Sequence, residues 1–330
     1  MFTPTPEMKE LLKASASEDD VQARAALRQI AVALELPLRQ GIMSGDVLMN
    51  IFEPIGFDPG VNPEFPLDFL SPGTEDLFVA YAVPSHGKLP EREIKSDYVT
   101  VPTYEVGNTI TWLNRYAKQA RWDVVSRAMT VFEAGFTKKL NDDGFHTLLA
   151  AAVDRNILVY DASAAAGSFT KRLISLMKVT MRRNGGGNSS SVNRRKLTDL
   201  FVSPEAIEDM RNWNIDQVDE VTRREIYLAE DGSLNRVFGV NLHDMDEFGV
   251  GQVYQDYVTS TLGGSLASSD VEFVLGLDLS NRGSFIMPYR GAMEMVPTYS
   301  LAEQRKGGLK GIMEVGFASL DSRYVISGSY

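Results

Sequence analysis

Residues 181–196 read MRRNGGGNSSSVNRRK, in which Arg182, Arg183, Arg194, Arg195 and Lys196 bracket a run of glycine, asparagine and serine without a single acid. Glycines beside cations are the material of a phosphate-binding loop. A P-loop, however, needs a strand before its glycines and a Gly-Lys-Ser/Thr after them, so that lysine and hydroxyl reach phosphate and metal. Here a helical pattern precedes the glycines and Ser189-Ser190-Ser191-Val192 follows. The same context excludes a dinucleotide fingerprint. These residue types fit a solvated, mobile connection in which glycines 185–187 end a helix.

The other reactive side chains are scattered. His86, His146 and His243 fall on three different elements and make no ligand pair at helical spacing. Asp142 and His146, four apart, read as a solvated ion pair on the polar face of a helix. His243 stands with Asp244 and Asp246 in NLHDMDEF, which lacks the oxygen-ligand spacing and terminal glutamate of a calcium loop and reads as an acidic surface turn. Glu91 and Glu93 have no apolar neighbours to raise a carboxyl pKa. Neither G-x-S-x-G nor H-E-x-x-H occurs. The expectation is a chain that is not an enzyme, with no cofactor and no metal.

Composition agrees. In 330 residues, 44 % hydrophobic and 23 % charged, the chain can build a sizeable core. With Cys 0 it has neither disulfides nor thiolate metal sites, and stability must come from buried area. No apolar run approaches the ~18–20 residues of a membrane span, and MFTPTPEMKELL lacks the build of a signal peptide, so a soluble, unexported chain is expected. A net charge of -11 repels nucleic acid at long range and speaks against a dedicated DNA binder, though it suits a surface that lies near DNA without adhering to it.

The elements that must position any site are uneven along the chain. SEDDVQARAALRQIAVALEL (17–36) predicts a helix capped by Ser17, with Asp20 as capping-box partner, an apolar stripe of Ala23, Leu27, Ile30 and Leu34, and Pro37 as its end. Eleven of the 14 prolines lie at or before Pro102. Over 54–72 they alternate with Phe57, Phe65 and Phe69, which predicts an extended arm that must pack on another surface. LFVAYAVP (77–84) and IKSDYVTVPTYEV (94–106) alternate as the strands of a long hairpin, which is marginal by itself in water. RWDVVSRAMTVFEAGFTKKLNDDGFHTLLAAAVDR (121–155) carries Trp122, Val125, Met129, Phe132, Phe136 and Leu140 at steps of three and four, the face continuing after Phe145 through Leu148, Leu149 and Ala152. Strict heptads fail near Gly144, so the pattern predicts a spine helix rather than a coiled coil.

A mixed region follows. The spacing predicts a helix over 168–183 with Phe169, Leu173, Leu176 and Thr180 on one face. LTDLFVSPEAIEDMRNW (197–213) reads as a strand feeding a helix with Ser203 as N-cap and Pro204 at its first position. A hairpin is expected over 224–240 turning at Asp231-Gly232. A strand is expected with Val271, Phe273, Leu275, Leu277 and Leu279 on one face, and two C-terminal strands through Met313, Val315 and Phe317 and through Val325 and Ile326.

This order of parts resembles the major capsid proteins of tailed bacteriophages, which share the Hong Kong 97 fold. The resemblance rests on the arm, the hairpin, the spine helix, LFVSPEAIEDM, RVFGVNL, VLGLDL…SFIMPY and EVGFASLDSRYVISG. It covers most of the chain and is architectural. It implies an α+β fold with an N-terminal arm (1–76), an E-loop hairpin (77–106), a peripheral P domain with the spine helix (107–155), a mostly axial A domain (156–300) and C-terminal strands returning to the P and A domains (301–330). It further implies self-assembly into pentamers and hexamers of an icosahedral head around double-stranded DNA, bound without sequence preference. Scaffolding, portal and cement or decoration proteins are the other implied partners, and the place of assembly is the host bacterial cytoplasm. Some members begin with a large removable scaffolding segment, whereas here the arm starts within a few tens of residues of Met1.

Candidate inter-subunit contacts are Leu77, Val79, Tyr81, Val83, Lys88, Glu91, Arg92 and Tyr98 of the hairpin and Arg182, Arg183, Arg194, Arg195 and Lys196 of the basic loop. An acidic surface carrying Glu205, Glu208 and Asp209 on an adjacent subunit is the expected partner of that loop, and packaged DNA is its alternative. Two other functions stay open: an encapsulin-like nanocompartment shell, and an enzyme gripping an anionic substrate with the basic loop.

Overall fold

The spine is one helix. In the computed structural model, which describes residues 6–17, 19–44, 47–58, 60–66, 98–154, 157–165, 167–184, 195–213, 236–262, 272–280, 282–298 and 306–330, the short α4 (Asn114–Lys118) is followed by α5 (Trp122–Asp154), a single 33-residue α-helix. Every apolar residue singled out on its stripe, from Trp122 to Ala152, is buried. The chain divides into two compact units, and this helix contributes to both. Residues up to Gly144 belong to the first, with 1–65 and 286–318, and Phe145 onward to the second, with 319–330. Gly144 lies where the heptad fails, and the close approach of Leu48 explains it: a Cβ there would stand 2.5 Å from a Leu48 methyl.

The first unit opens with α1 (Pro6–Ala14), α2 (Asp20–Ser44) and α3 (Val47–Ile51). Ser17 does not cap α2 alone: its Oγ accepts the Asp19 N–H, and the Asp19 carboxylate accepts the Val21 N–H at 3.0 Å. Pro37 does not end the helix either, and α2 runs through it. Proline removes one helical hydrogen bond and crowds the preceding turn. Here it sits on the exposed face while Ile30, Leu34, Leu38 and Ile42 are each at most 1 % exposed, so buried area on the opposite face outweighs the lost bond.

A sheet orders β1 (Glu53–Phe57), β10 (Phe285–Pro297), β11 (Lys306–Val315) and β4 (Tyr104–Leu113), with β12 (Ala318–Ser319) beside β10. β1 joins in parallel; β11 pairs antiparallel with both neighbours. Pro54 is tolerated because β1 is an edge strand. The tip of the Phe132 ring reaches Gly311, where a Cβ would lie 2.5 Å away, so the spine packs directly on the β11 backbone. Of the proline-rich segment, 54–57 and 64–66 are strands and 67–72 lie outside the described residues; Phe65 is buried against its own unit, edge-on to Phe57 at 5.6 Å. β2 (Glu64–Pro66) and β3 (Tyr98–Thr100) make a two-stranded ribbon. Residues 104–106 belong to β4 in the main sheet rather than to the hairpin.

The second unit has a six-stranded sheet in the order β5 (Leu158–Tyr160), β13 (Val325–Ser329), β9 (Phe273–Leu277), β6 (Asp199–Val202), β8 (Val240–Asp244) and β7 (Arg236–Val237). β9 departs from the alternating expectation. All five of its residues are buried: it is a central strand paired with β13 and with β6, and Met177 lies over Gly276, where a Cβ would stand 3.1 Å from its methyl. α6 (Lys171–Asn184) packs on β5 and β13. Its buried face is Leu173, Ile174, Met177 and Met181, rotated from the predicted one; Leu176 is only partly buried and Phe169 precedes the helix. α7 (Pro204–Arg211) starts as expected, with the Ser203 Oγ accepting the Ala206 N–H at 3.2 Å and Pro204 in the first turn. The described hairpin turns at Phe238-Gly239, where φ is +51° and +77°; Asp231-Gly232 lies outside the described residues. A short helix, Val253–Asp256, continues as the π-helical Tyr257–Leu262.

Candidate functional site

Three surfaces stand out, and none is built like a catalytic centre. On α2, the side opposite the core carries Val21 (76 % exposed), Ala25, Val32 (71 %) and Leu36 (61 %) at steps of four, seven and four. Such spacing makes a second apolar stripe on one helix. In the same unit Val131, on the spine, is also exposed.

At the ribbon, Tyr98 is 64 % exposed and Val99 partly so. Tyr98 is the one hairpin candidate within the described residues; Leu77, Val79, Tyr81, Val83, Lys88, Glu91 and Arg92 lie outside them. Val101 ties the ribbon down by donating its N–H to the Pro63 carbonyl at 3.0 Å.

The basic residues separate into two kinds. Arg182 and Arg183 are exposed in the last turn of α6, and Lys196 is exposed just before β6. Arg194 lies outside the described residues. Arg195 corrects the expectation of a solvated loop charge, being 6 % exposed. Its Nη2 is 3.3 Å from the Asp321 carboxylate and its guanidinium lies 4.0 Å above the Tyr324 ring. An arginine so held is a structural member of the unit, and it is not free to reach a neighbour. Burial pushes the Asp321 carboxyl up, but the bonds from Arg323 and the charges of Arg323 and Arg195 outweigh it and hold it below its ordinary range. Of the proposed acidic partners, Asp209 is engaged at home, accepting the Phe169 N–H at 2.8 Å. Glu208 stands 3.4 Å from Arg211, and Glu205 is exposed.

The two described histidines are structural too, and His86 lies outside the described residues. His243 sits in β8 rather than in an acidic turn, stacked on Phe201 with its Nε2 2.8 Å from Asp199. Burial raises the Asp199 carboxyl, and hydrogen bonds from His243, Thr198 and Asn241 more than reverse it. His146 stacks on Tyr257 at 3.9 Å, so it is part of an aromatic cluster. A compact polar trio is Ser203, Glu272 and Tyr330: the Ser203 hydroxyl donates to Glu272 at 2.6 Å and Tyr330 donates to the same carboxylate. Its serine is bonded as the cap of α7, accepting the Ala206 N–H. Among the described residues no group of three or more His, Asp or Glu could hold a metal, and no described helix is long and apolar enough to cross a membrane.

No protein-family model matches the sequence, and no curated protein is similar to it in sequence. Solved structures are similar in fold. A chain of Microbacterium phage Oxtober96 superposes with a TM-score of 0.57 at 12% identity, covering 87% of this chain and 90% of that one. The capsid asymmetric unit of cyanophage Pam1 gives 0.56 at 13% identity, over 85% and 88%. The mature capsid of bacteriophage PhiM1 gives 0.53 at 11% identity, over 86% of each. With its spine helix shared by two units and its discontinuous sheets, this chain has the α+β Hong Kong 97 fold of tailed-phage major capsid proteins.

Proposed function

We propose that this chain is a major capsid protein that assembles into pentamers and hexamers of an icosahedral head around double-stranded DNA, without enzymatic activity of its own. The observation that carries the reading is the fold likeness to phage capsid subunits along nearly the whole of both chains. The surface supports it. A second apolar stripe on α2 has no use on an isolated subunit and gains free energy when a neighbour covers it. The hairpin candidates from Leu77 to Tyr98 and the exposed Arg182, Arg183 and Lys196 are proposed as further contacts between subunits, and scaffolding, portal and decoration proteins as partners.

Electron microscopy of the purified full chain tests this. Closed shells containing DNA are expected from infected or expressing cells; shells filled with protein would move the chain to an encapsulin-like nanocompartment, and compact monomers would overturn the reading. Replacing residues 82–96 by a tight turn is expected to leave the subunit folded and abolish closure.

A further inference from the structure

The exposed face of α6 and the start of β6 enclose a groove of about 530 Å³, to which Lys178, Arg182, Arg195 and Lys196 supply charge and Val179 and Leu197 apolar wall. Four cations meet there, and among the described residues no acidic side chain lines it. The nearby acids already have partners. Asp321 is held by Arg323 through three hydrogen bonds of 2.7–3.0 Å, and Asp278 accepts the Lys196 N–H at 2.7 Å and the Ser280 N–H at 3.0 Å. Arg195 is the fixed point: it is more than nine-tenths buried and clamped by Asp321 and Tyr324, so it holds one side of the positive wall in place. Lys178 spends one N–H on the Phe238 carbonyl at 2.7 Å and keeps two donors.

We infer that this groove binds phosphoryl groups. The charge asks for more than a single carboxylate supplies, since several cations within one cavity are balanced best by an anion that concentrates two or more negative charges. Its size admits more than one phosphate. Among the described residues no aromatic ring lines it, so recognition is of phosphate and not of stacked bases. The source is either a free oligophosphate or the backbone of a nucleic-acid strand. The site rests on the second unit's own residues and stands whether or not the chain builds a phage head.

Titration calorimetry on the full-length soluble subunit at low salt separates the outcomes, with inorganic pyrophosphate, a single-stranded oligonucleotide and an oligoglutamate peptide as probes. Arg182→Gln is expected to weaken phosphoryl binding about tenfold and, for the oligonucleotide, to reduce the salt slope by about 0.7. Arg183→Gln, one residue along the same turn but outside the groove, should stay within about twofold. Lys178→Gln and Lys196→Gln, each of which removes one cation from the groove, should also weaken binding. Oligonucleotide binding without pyrophosphate binding identifies the strand backbone as the source, and the reverse identifies free oligophosphate; both uphold the site. Equal losses from Arg182→Gln and Arg183→Gln, no binding of either phosphate probe, or tighter binding of oligoglutamate would overturn it.

Discussion

α2 and α6 bury similar stripes and differ in what they show the solvent. α2 hides Ile30, Leu34, Leu38 and Ile42 and turns Val21, Val32 and Leu36 outward. α6 hides Leu173, Ile174, Met177 and Met181 and turns Lys178, Arg182 and Arg183 outward. The buried faces do the same work, anchoring each helix in its unit by apolar area removed from water. The outer faces answer different partners: an apolar one suits another protein surface, and a cationic one suits an anion. A helix whose hidden side explains its folding can thus be read for function from the other side.

The largest effects should test the sameness of the hidden faces. Ile30→Ala and Met177→Ala are each expected to cost about 2–5 kcal/mol in chemical denaturation, because both leave cavities in packed cores; a cost under 1 kcal/mol for either would mean that its helix is loosely seated. Next, Pro37→Ala should stabilise the subunit by about 1–3 kcal/mol, since alanine restores the helical bond and proline is the poorest interior helix residue. A loss of stability there would mean that α2 needs its proline, and the two helices would differ inside as well as outside.

A smaller effect belongs to the unit that holds α6. Asp321 and Asp199 both have folded-state pKa values below the ordinary 3.8. A depressed carboxyl contributes stability above its unfolded pKa and loses it as pH falls through the folded one. Melting temperature should therefore be insensitive to these groups at neutral pH and fall below about pH 4, with a shallower fall in Asp321→Asn, which starts from a lower value. An equally steep acid limb in that variant would assign the acid sensitivity to other groups. The smallest change in stability is expected from Val32→Ser with Leu36→Ser, within about 0.5 kcal/mol per site. The same double variant should fail to form shells in the microscope; normal closure would remove the outer stripe of α2 from the contacts.

The sequence by itself determined what local chemistry decides. The spine helix was legible because its apolar residues recur at three and four, and the start of α7 because Ser203-Pro204 caps a helix whatever surrounds it. The order of arm, spine and C-terminal strands was enough to reach the fold. Only the tertiary structure decided where burial comes from distant partners. Pro37 stays helical because the far side of α2 is packed, and β9 is buried throughout because it is a central strand with side chains such as Met177 packed over it. Arg195 reads as one more cation of a basic loop, yet its partner Asp321 stands 126 residues away. A side chain's residue type and near neighbours set its intrinsic preferences. Whether its charge is solvated or paired depends on which remote residues the fold brings beside it.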